Sequence, residues 1–249
     1  MSTTPRTALG RVAHQTLPEA IAEHLREFIL HNRLTPGSRL PPESELCASF
    51  AASRVAVREA VKRLAGEGLV ETRPGAAGGV YVARPDSRRW SASFAAFCQL
   101  QDVPVKDLIE FRIELERVTA SRAARRASEE QTTKLELIVA DMSSPGIELD
   151  RFHELDIEFH TRIAEVSGNQ VFALFMHSAR FALQRAIMDA YNYIADPETV
   201  NQRIITEHVE ITRHIRAGNA AAASRSMRRH IKSFYAAFFE RRSTIEGAG

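Results

Sequence analysis

The spacing of apolar positions changes character part-way along the chain. Over residues 18–32, Ile21, Leu25, Phe28 and Ile29 recur at i, i+4, i+7 and i+8, one face of a helix. Thr35-Pro36-Gly37-Ser38 reads as a turn. Residues 42–50 read as a short helix with Pro in its first turn and acids close by. Ser53 caps a third helix with Val57, Val61 and Leu64 on its buried stripe, and Gly66 and Gly68 end it. Residues 69–72 and 80–82 read as two short strands around the glycine-rich 74–79 tract, a hairpin. From about Asp86 onward only helical periodicity remains, with helices expected near 88–100, 104–127, 129–142, 148–167, 170–193, 197–217 and 219–243. Breaks fall at Pro104, Ser144-Pro145-Gly146, Ser167-Gly168-Asn169, Asp196-Pro197 and Gly218-Asn219. Short connections make neighbouring helices antiparallel. The expected fold is mainly α: an N-terminal winged helix-turn-helix over 12–84, a linker at 85–89 marked by Pro85 and a polar run, and an all-α antiparallel bundle over 90–243.

Composition narrows the class. With 44% hydrophobic and 26% charged residues in 249, a mostly disordered chain is excluded and a core is affordable in full. Cys47 and Cys98 cannot build a disulfide framework, which fits a reducing compartment. No apolar run approaches the ~18 residues of a membrane span, and the first residues carry no apolar signal-peptide core, so a cytoplasmic protein with no membrane partner is expected. The net charge is only +2, but it is unevenly placed: through Arg84, eleven Lys and Arg oppose eight Glu for +3, leaving −1 for the remainder.

Three short helices and a hairpin follow the winged-helix order, in which one helix enters the major groove and the wing reaches backbone or minor groove. On the third helix Arg54, Arg58 and Lys62 repeat at i, i+4 and i+8, away from Val57 and Val61. Arginine suits bidentate contact with guanine, and Ser53 at the helix start suits phosphate. A basic stripe alone is most often a solvated helix face. The tract 36–46 (Pro-Gly-Ser-Arg-Leu-Pro-Pro-Glu-Ser-Glu-Leu, with Arg39 inside it), then Ser53-Arg54, Val57-Arg58-Glu59-Ala60 and Gly68-Leu69-Val70-Glu71, resembles the GntR family of bacterial transcription regulators. The resemblance covers about 12–84. It implies operator contacts from Ser53, Arg54 and Arg58 and a minor-groove approach by Gly75; Lys62, from the basic stripe, and Arg39 complete the expected DNA-binding set. One position departs: Ser44 stands where the family usually has Arg, which puts a contact from the second helix in doubt.

A second constellation lies in the helical part. Asp156 and His160 are i and i+4, on one helix face. His208 lies 10.5 residues before the Gly218-Asn219 midpoint and His230 lies 11.5 after it. In an antiparallel pair that puts the two side chains level to within about 1.5 Å. Three imidazoles and a carboxylate suit a divalent ion: zinc first, then nickel, iron or manganese. For any one histidine the plain reading is an ordinary helix residue, and the four together carry the metal reading. Residues from about 88 to 240 resemble the FCD ligand-binding domain of the FadR subfamily, through Asp107-Leu108-Ile109-Glu110-Phe111-Arg112 with Glu116, Asp156 with Phe159-His160, Ser167-Gly168-Asn169, Glu207-His208 and His230. The resemblance implies Asp156, His160, His208 and His230 as metal ligands and Arg112 in an effector cavity. Without it, Arg112 reads equally as a salt bridge to Glu116. An ion beside a guanidinium suits a small carboxylate effector. His153, His177 and His214 read as structural, with His177 the foremost further cavity residue.

Two function classes compete: a ligand-responsive repressor binding a near-palindromic operator as a homodimer, and a helical metalloenzyme with a 3-His/1-Asp centre. The N-terminal winged helix favours the regulator, since an enzyme has no need of it. No base or nucleophile is placed beside the metal set. An architectural DNA binder would leave that set unexplained.

Overall fold

The computed structural model describes residues 15–75, 78–192 and 196–246. The hairpin tip at Ala76-Ala77 and the 12–14 start of the expected first domain lie outside the described residues. The chain divides into two compact units, Met1–Asp86 and Ser87–Gly249.

In the first unit, α1 (Leu17–His31), α2 (Glu43–Ser49) and α3 (Arg54–Glu67) precede β1 (Val70–Arg73) and β2 (Gly79–Val82). Thr16 and Glu19 form a capping box at the start of α1, tying down amide groups a helix start leaves unpaired. Pro42 is the N-cap of α2, one position outside the first turn where the sequence placed it. Gly68 ends α3 at φ +79°, a left-handed geometry that costs glycine nothing. The strands pair antiparallel from Val70↔Val82 to Arg73↔Gly79. The segment before α2 lies along the other edge of β2: the Leu40 amide donates to the Val80 carbonyl at 2.8 Å and the Gly37 amide to that of Val82 at 2.8 Å. One core joins these elements, with Ile21, Leu25, Leu40, Leu46, Val57 and Leu64 at its centre.

The second unit is α4 (Ser87–Leu100), α5 (Val105–Arg126), α6 (Glu129–Met142), α7 (Leu149–Val166), α8 (Gln170–Asn192), α9 (Pro197–Arg216) and α10 (Ala220–Glu246). Ser87, Arg88 and Arg89 form the first turn of α4, so the polar tract at 85–89 is already helical over its last three residues. Ser128 and Gln131 box the start of α6, and Asp196 caps α9 ahead of Pro197. α5 packs along α10 and also meets α7, α8 and α9, while α4 lies on α8 and α6 on α7 and α9. The core runs through Leu135, Met142, Phe152, Phe159, Ile163 and Ile211. Long antiparallel helices around one core hold inward-facing side chains from different helices at fixed separation, which is what a buried polar site requires.

Candidate metal centre and nucleic-acid interface

The apolar face of α7 carries Phe152, Phe159 and Ile163 into the core, and Asp156 and His160 go in with it. α9 and α10 run antiparallel from the Gly218 turn and bring His208 and His230 face to face, Nε2 to Nε2 at 3.2 Å. Oδ1 of Asp156 lies 3.5 Å from Nε2 of both His160 and His208. One ligand atom from each of Asp156, His160, His208 and His230 lies within 4.8 Å of every other. The three histidines are buried and Asp156 is nearly so.

The outer ring nitrogens fix the inner ones. Glu116 of α5 pairs with Nδ1 of His160, and Glu207 of α9 with Nδ1 of His230 at 2.6 Å. A carboxylate accepts the Nδ1 proton, so each Nε2 presents a lone pair inward. Phe159 stacks on His208 with ring centroids 4.0 Å apart, holding its plane. Burial pushes His208 well below the ordinary imidazole value, and the neighbouring His230 adds to it. Burial also lowers His230, with Glu207 a partial counterweight. For Asp156 burial opposes ionisation, but Arg180, His160 and His208 outweigh it and hold the carboxyl well below its usual range. A neutral imidazole pair and an ionised carboxylate are the protonation states a cation needs.

The donor set fits a divalent ion. Nε2 of His160 is buried with no hydrogen-bond partner. Two imidazole lone pairs 3.2 Å apart repel unless a proton or a cation stands between them. Two imidazoles anchored from behind by carboxylates and a third held by an aromatic ring supply the outer shell that metal-binding histidines require.

Two buried guanidinium groups flank this set. Arg112 on α5 pairs through Nε with Glu116, and Nη1 donates to the Tyr235 hydroxyl at 2.9 Å. Burial works against its charge, but Glu116, Tyr235 and Asp156 reverse the balance and raise its pKa further. Arg112 also lines a cavity of about 10 Å³ with Asp156, His153 and His230. Arg180 on α8 donates from Nη2 to Asp156. The sequence reading missed Arg180, although a signal existed: it shares an apolar stripe with Met176, Leu183 and Ile187, where a charge is out of place. His177 lines a second cavity, beside Arg180.

At the other unit, Ser53 caps α3 by accepting the Ala56 amide at 3.2 Å, and its own O–H remains to donate. Arg54 is exposed and has no ion pair among the described residues. Arg58 donates to Glu43 of α2 at 2.8 Å, and Lys62 to Glu59 at 2.7 Å, both on the exposed face. Arg39 is turned towards the wing, where Nη2 donates to the Gly78 carbonyl at 2.7 Å, and its guanidinium fills the space beside Gly79. Gly75 sits at φ +96° before the tip, with open space where a side chain would go. Ser44 is exposed on α2. The sequence-chosen residues of α3 therefore lie on one solvent face, while Arg39 braces the hairpin.

A winged helix with an outward basic helix, followed by a helical unit with an inward polar site, defines a two-part DNA-binding regulator that senses a small ligand. Residues 17–82 match the bacterial regulatory proteins of the gntR family and residues 107–233 match the FCD domain, and the chain belongs to the GntR family of transcription regulators that carry an FCD domain. It is 29% identical over 82% of its length to the HTH-type transcriptional regulator LutR of Bacillus subtilis, covering 93% of that protein. It is 27% identical over 92% of its length to the transcriptional repressor NanR of Cronobacter sakazakii, covering 88% of that protein. Its structure resembles that of Streptococcus agalactiae GntR with a TM-score of 0.64 and 27% identity, over 87% of this chain and 97% of that one. The domains and relatives are transcription regulators, not enzymes, which resolves the metalloenzyme alternative. Among the described residues no helix is long and apolar enough to cross a membrane.

Proposed function

We propose that this chain is a metal-dependent repressor that binds a near-palindromic operator as a cytoplasmic homodimer and is controlled by a small carboxylate. The observation that carries the reading is the convergence of Asp156, His160, His208 and His230, with Glu116 and Glu207 fixing two of the imidazoles from behind. These four residues would hold the ion. Zinc is the foremost choice for three nitrogens and an oxygen, and nickel, iron and manganese also suit the set. When bound, the ion would supply a positive Lewis-acid centre that favours a carboxylate beside it. Arg112, locked by Glu116 and Tyr235 in the wall beside Asp156, adds a fixed positive charge and is the effector residue of this reading. Residues 12–84 bind DNA, with Ser53, Arg54, Arg58 and Lys62 of α3 on the operator, Gly75 at the minor groove and Arg39 supporting the wing. Residues 90–243 bind metal and effector and form the dimer, and residues 85–89 carry the change between the two. Repression is the sign proposed, as in the name of one relative, while another relative is named an activator.

His208→Ala tests this. The variant should lose its metal, measured on purified protein, and lose calorimetric binding of acetate, L-lactate and citrate. Basal operator binding by gel shift should stay within a few-fold of wild type. A metal-free His208→Ala that binds a carboxylate as tightly as wild type makes the ion a structural staple and overturns the mechanism.

A further inference from the structure

Arg180 has more donors than partners. It is 4% exposed, and Nη2 donates to Asp156. Its Nε and Nη1 are buried and have no hydrogen-bond partner. A cationic donor left unsatisfied in the interior costs free energy that simple pairing with Asp156 does not recover. That cost is sustained where a ligand supplies the missing acceptors. Arg180 also lines a cavity of about 110 Å³ between α4, α7 and α8, with Ser91, Ile157, His177, Phe181 and Gln184. One water needs ~10–15 Å³. The 110 Å³ cavity therefore admits a small organic acid, whereas the 10 Å³ cavity beside Arg112 admits about one water. Arg112, moreover, already has Glu116 and Tyr235 on its guanidinium.

We propose that the cavity between α4, α7 and α8 is the carboxylate subsite of this protein, with Arg180 as its anchor and Ser91, His177 and Gln184 as its polar wall. The proposal rests on the metal-linked carboxylate reading above and moves the ligand's main contact from Arg112 to Arg180. It also couples the two ligands. Asp156 is shared: Arg180 holds it from one side, and it belongs to the four-residue donor set on the other. A divalent cation that draws on Asp156 leaves Arg180 less neutralised, and a carboxylate then becomes its better partner. Metal and carboxylate therefore strengthen each other's binding, by the same factor in each direction. The cavity wall includes Ser87 and Arg88, the first residues of α4, so occupancy is felt where the chain leaves the DNA-binding unit.

The test uses full-length protein, zinc-loaded or chelator-treated, titrated with acetate, L-lactate and citrate by calorimetry and thermal unfolding. In wild type at least one acid should bind, and more tightly with zinc. Arg180→Lys keeps a charge opposite Asp156 but loses the spare donors. It should retain zinc and fold while binding that acid at least tenfold more weakly. Gln184→Phe narrows the cavity from an exposed wall position, so it should fold and weaken the same acid, which keeps the test decisive even if Arg180→Lys is unstable. Wild-type acid affinity in both variants, with loss in Arg112→Lys, overturns this subsite and leaves the metal-linked reading standing. A wild-type protein that binds none of the three acids, with or without zinc, overturns both.

Discussion

At the scale of single residues the buried cluster is governed by which atoms hold protons. His208 and His230 are both held below the ordinary value of 6.5, by burial first. In the unfolded chain the same imidazoles titrate near that value. Just below 6.5 the unfolded state therefore binds more protons than the folded one, and stability rises with pH across that window. Above it both states are neutral and the contribution is level. Asp156, ionised well below 3.8 in the fold, adds a second loss only in stronger acid. In chelated protein these imidazoles should thus leave the unfolding free energy level from pH 7 to 8 and lower it below pH 6.5, by up to about 1.4 kcal/mol per pH unit for each proton taken up, read as a falling melting temperature. His208→Gln should shrink that decline, and zinc should steepen it, because the ion competes with the same protons. Parallel melting curves for wild type and His208→Gln between pH 7.5 and 5 would show that His208 is not held neutral by the fold.

At the scale of elements, α3 separates structure from recognition within one helix. Val57, Val61 and Leu64 bury one side, Ser53 caps the start, and Arg54 stands clear on the other side. Arg54→Ala should leave the helix and the fold intact, since neither cap nor stripe is touched. It should cost ~1–3 kcal/mol at the operator and flatten base preference. Gel-shift titration against operator variants reads both, and unchanged specificity would remove Arg54 from the set of base readers. The same helix shows why so much was legible: caps, glycine stops and 3.6-residue stripes are local, and they placed every described helix to within a few residues. The level pair of His208 and His230 was legible too, because a short turn makes its two helices antiparallel. Pairings made between helices distant in sequence were not. Glu116 of α5 meets His160 of α7 across 44 positions, through packing that no local pattern fixes. Arg180 and Asp156 lie on consecutive helices joined at 167–169, so their pairing was legible by the same short-turn geometry and was missed for want of applying it. The start of α4 at Ser87 falls one residue before the expected 88, inside the tract that also read as linker, because a first turn facing solvent is polar.

At the scale of the whole molecule, a single α3 covers too few base pairs to specify a site, so recognition as proposed requires two copies on two half-sites. The first unit buries Ile21, Leu25 and Ile29 of the α1 stripe in its own core, but Phe28, expected on that stripe, faces solvent with Leu17, Leu30 and Val55 of α3. The second unit also leaves apolar groups outside its core. On α4, Trp90, Phe97 and Leu100 are 45%, 62% and 81% exposed, and Phe111 and Phe181 add to the apolar surface of the same unit. Large aromatic groups left in water on a helical domain are the material from which symmetric interfaces are made. Light scattering at micromolar concentration should therefore report a dimer with and without DNA. Phe97→Asp puts a charge among the exposed α4 side chains and does not touch the buried donor set, so it should shift the protein towards monomer while zinc content stays at wild-type level. Operator affinity should fall at least tenfold in the same variant, because each monomer then engages only one half-site. A wild-type monomer at these concentrations, bound or free, would rule out two-half-site recognition. A Phe97→Asp protein that stays fully dimeric would place the interface elsewhere on the helical unit.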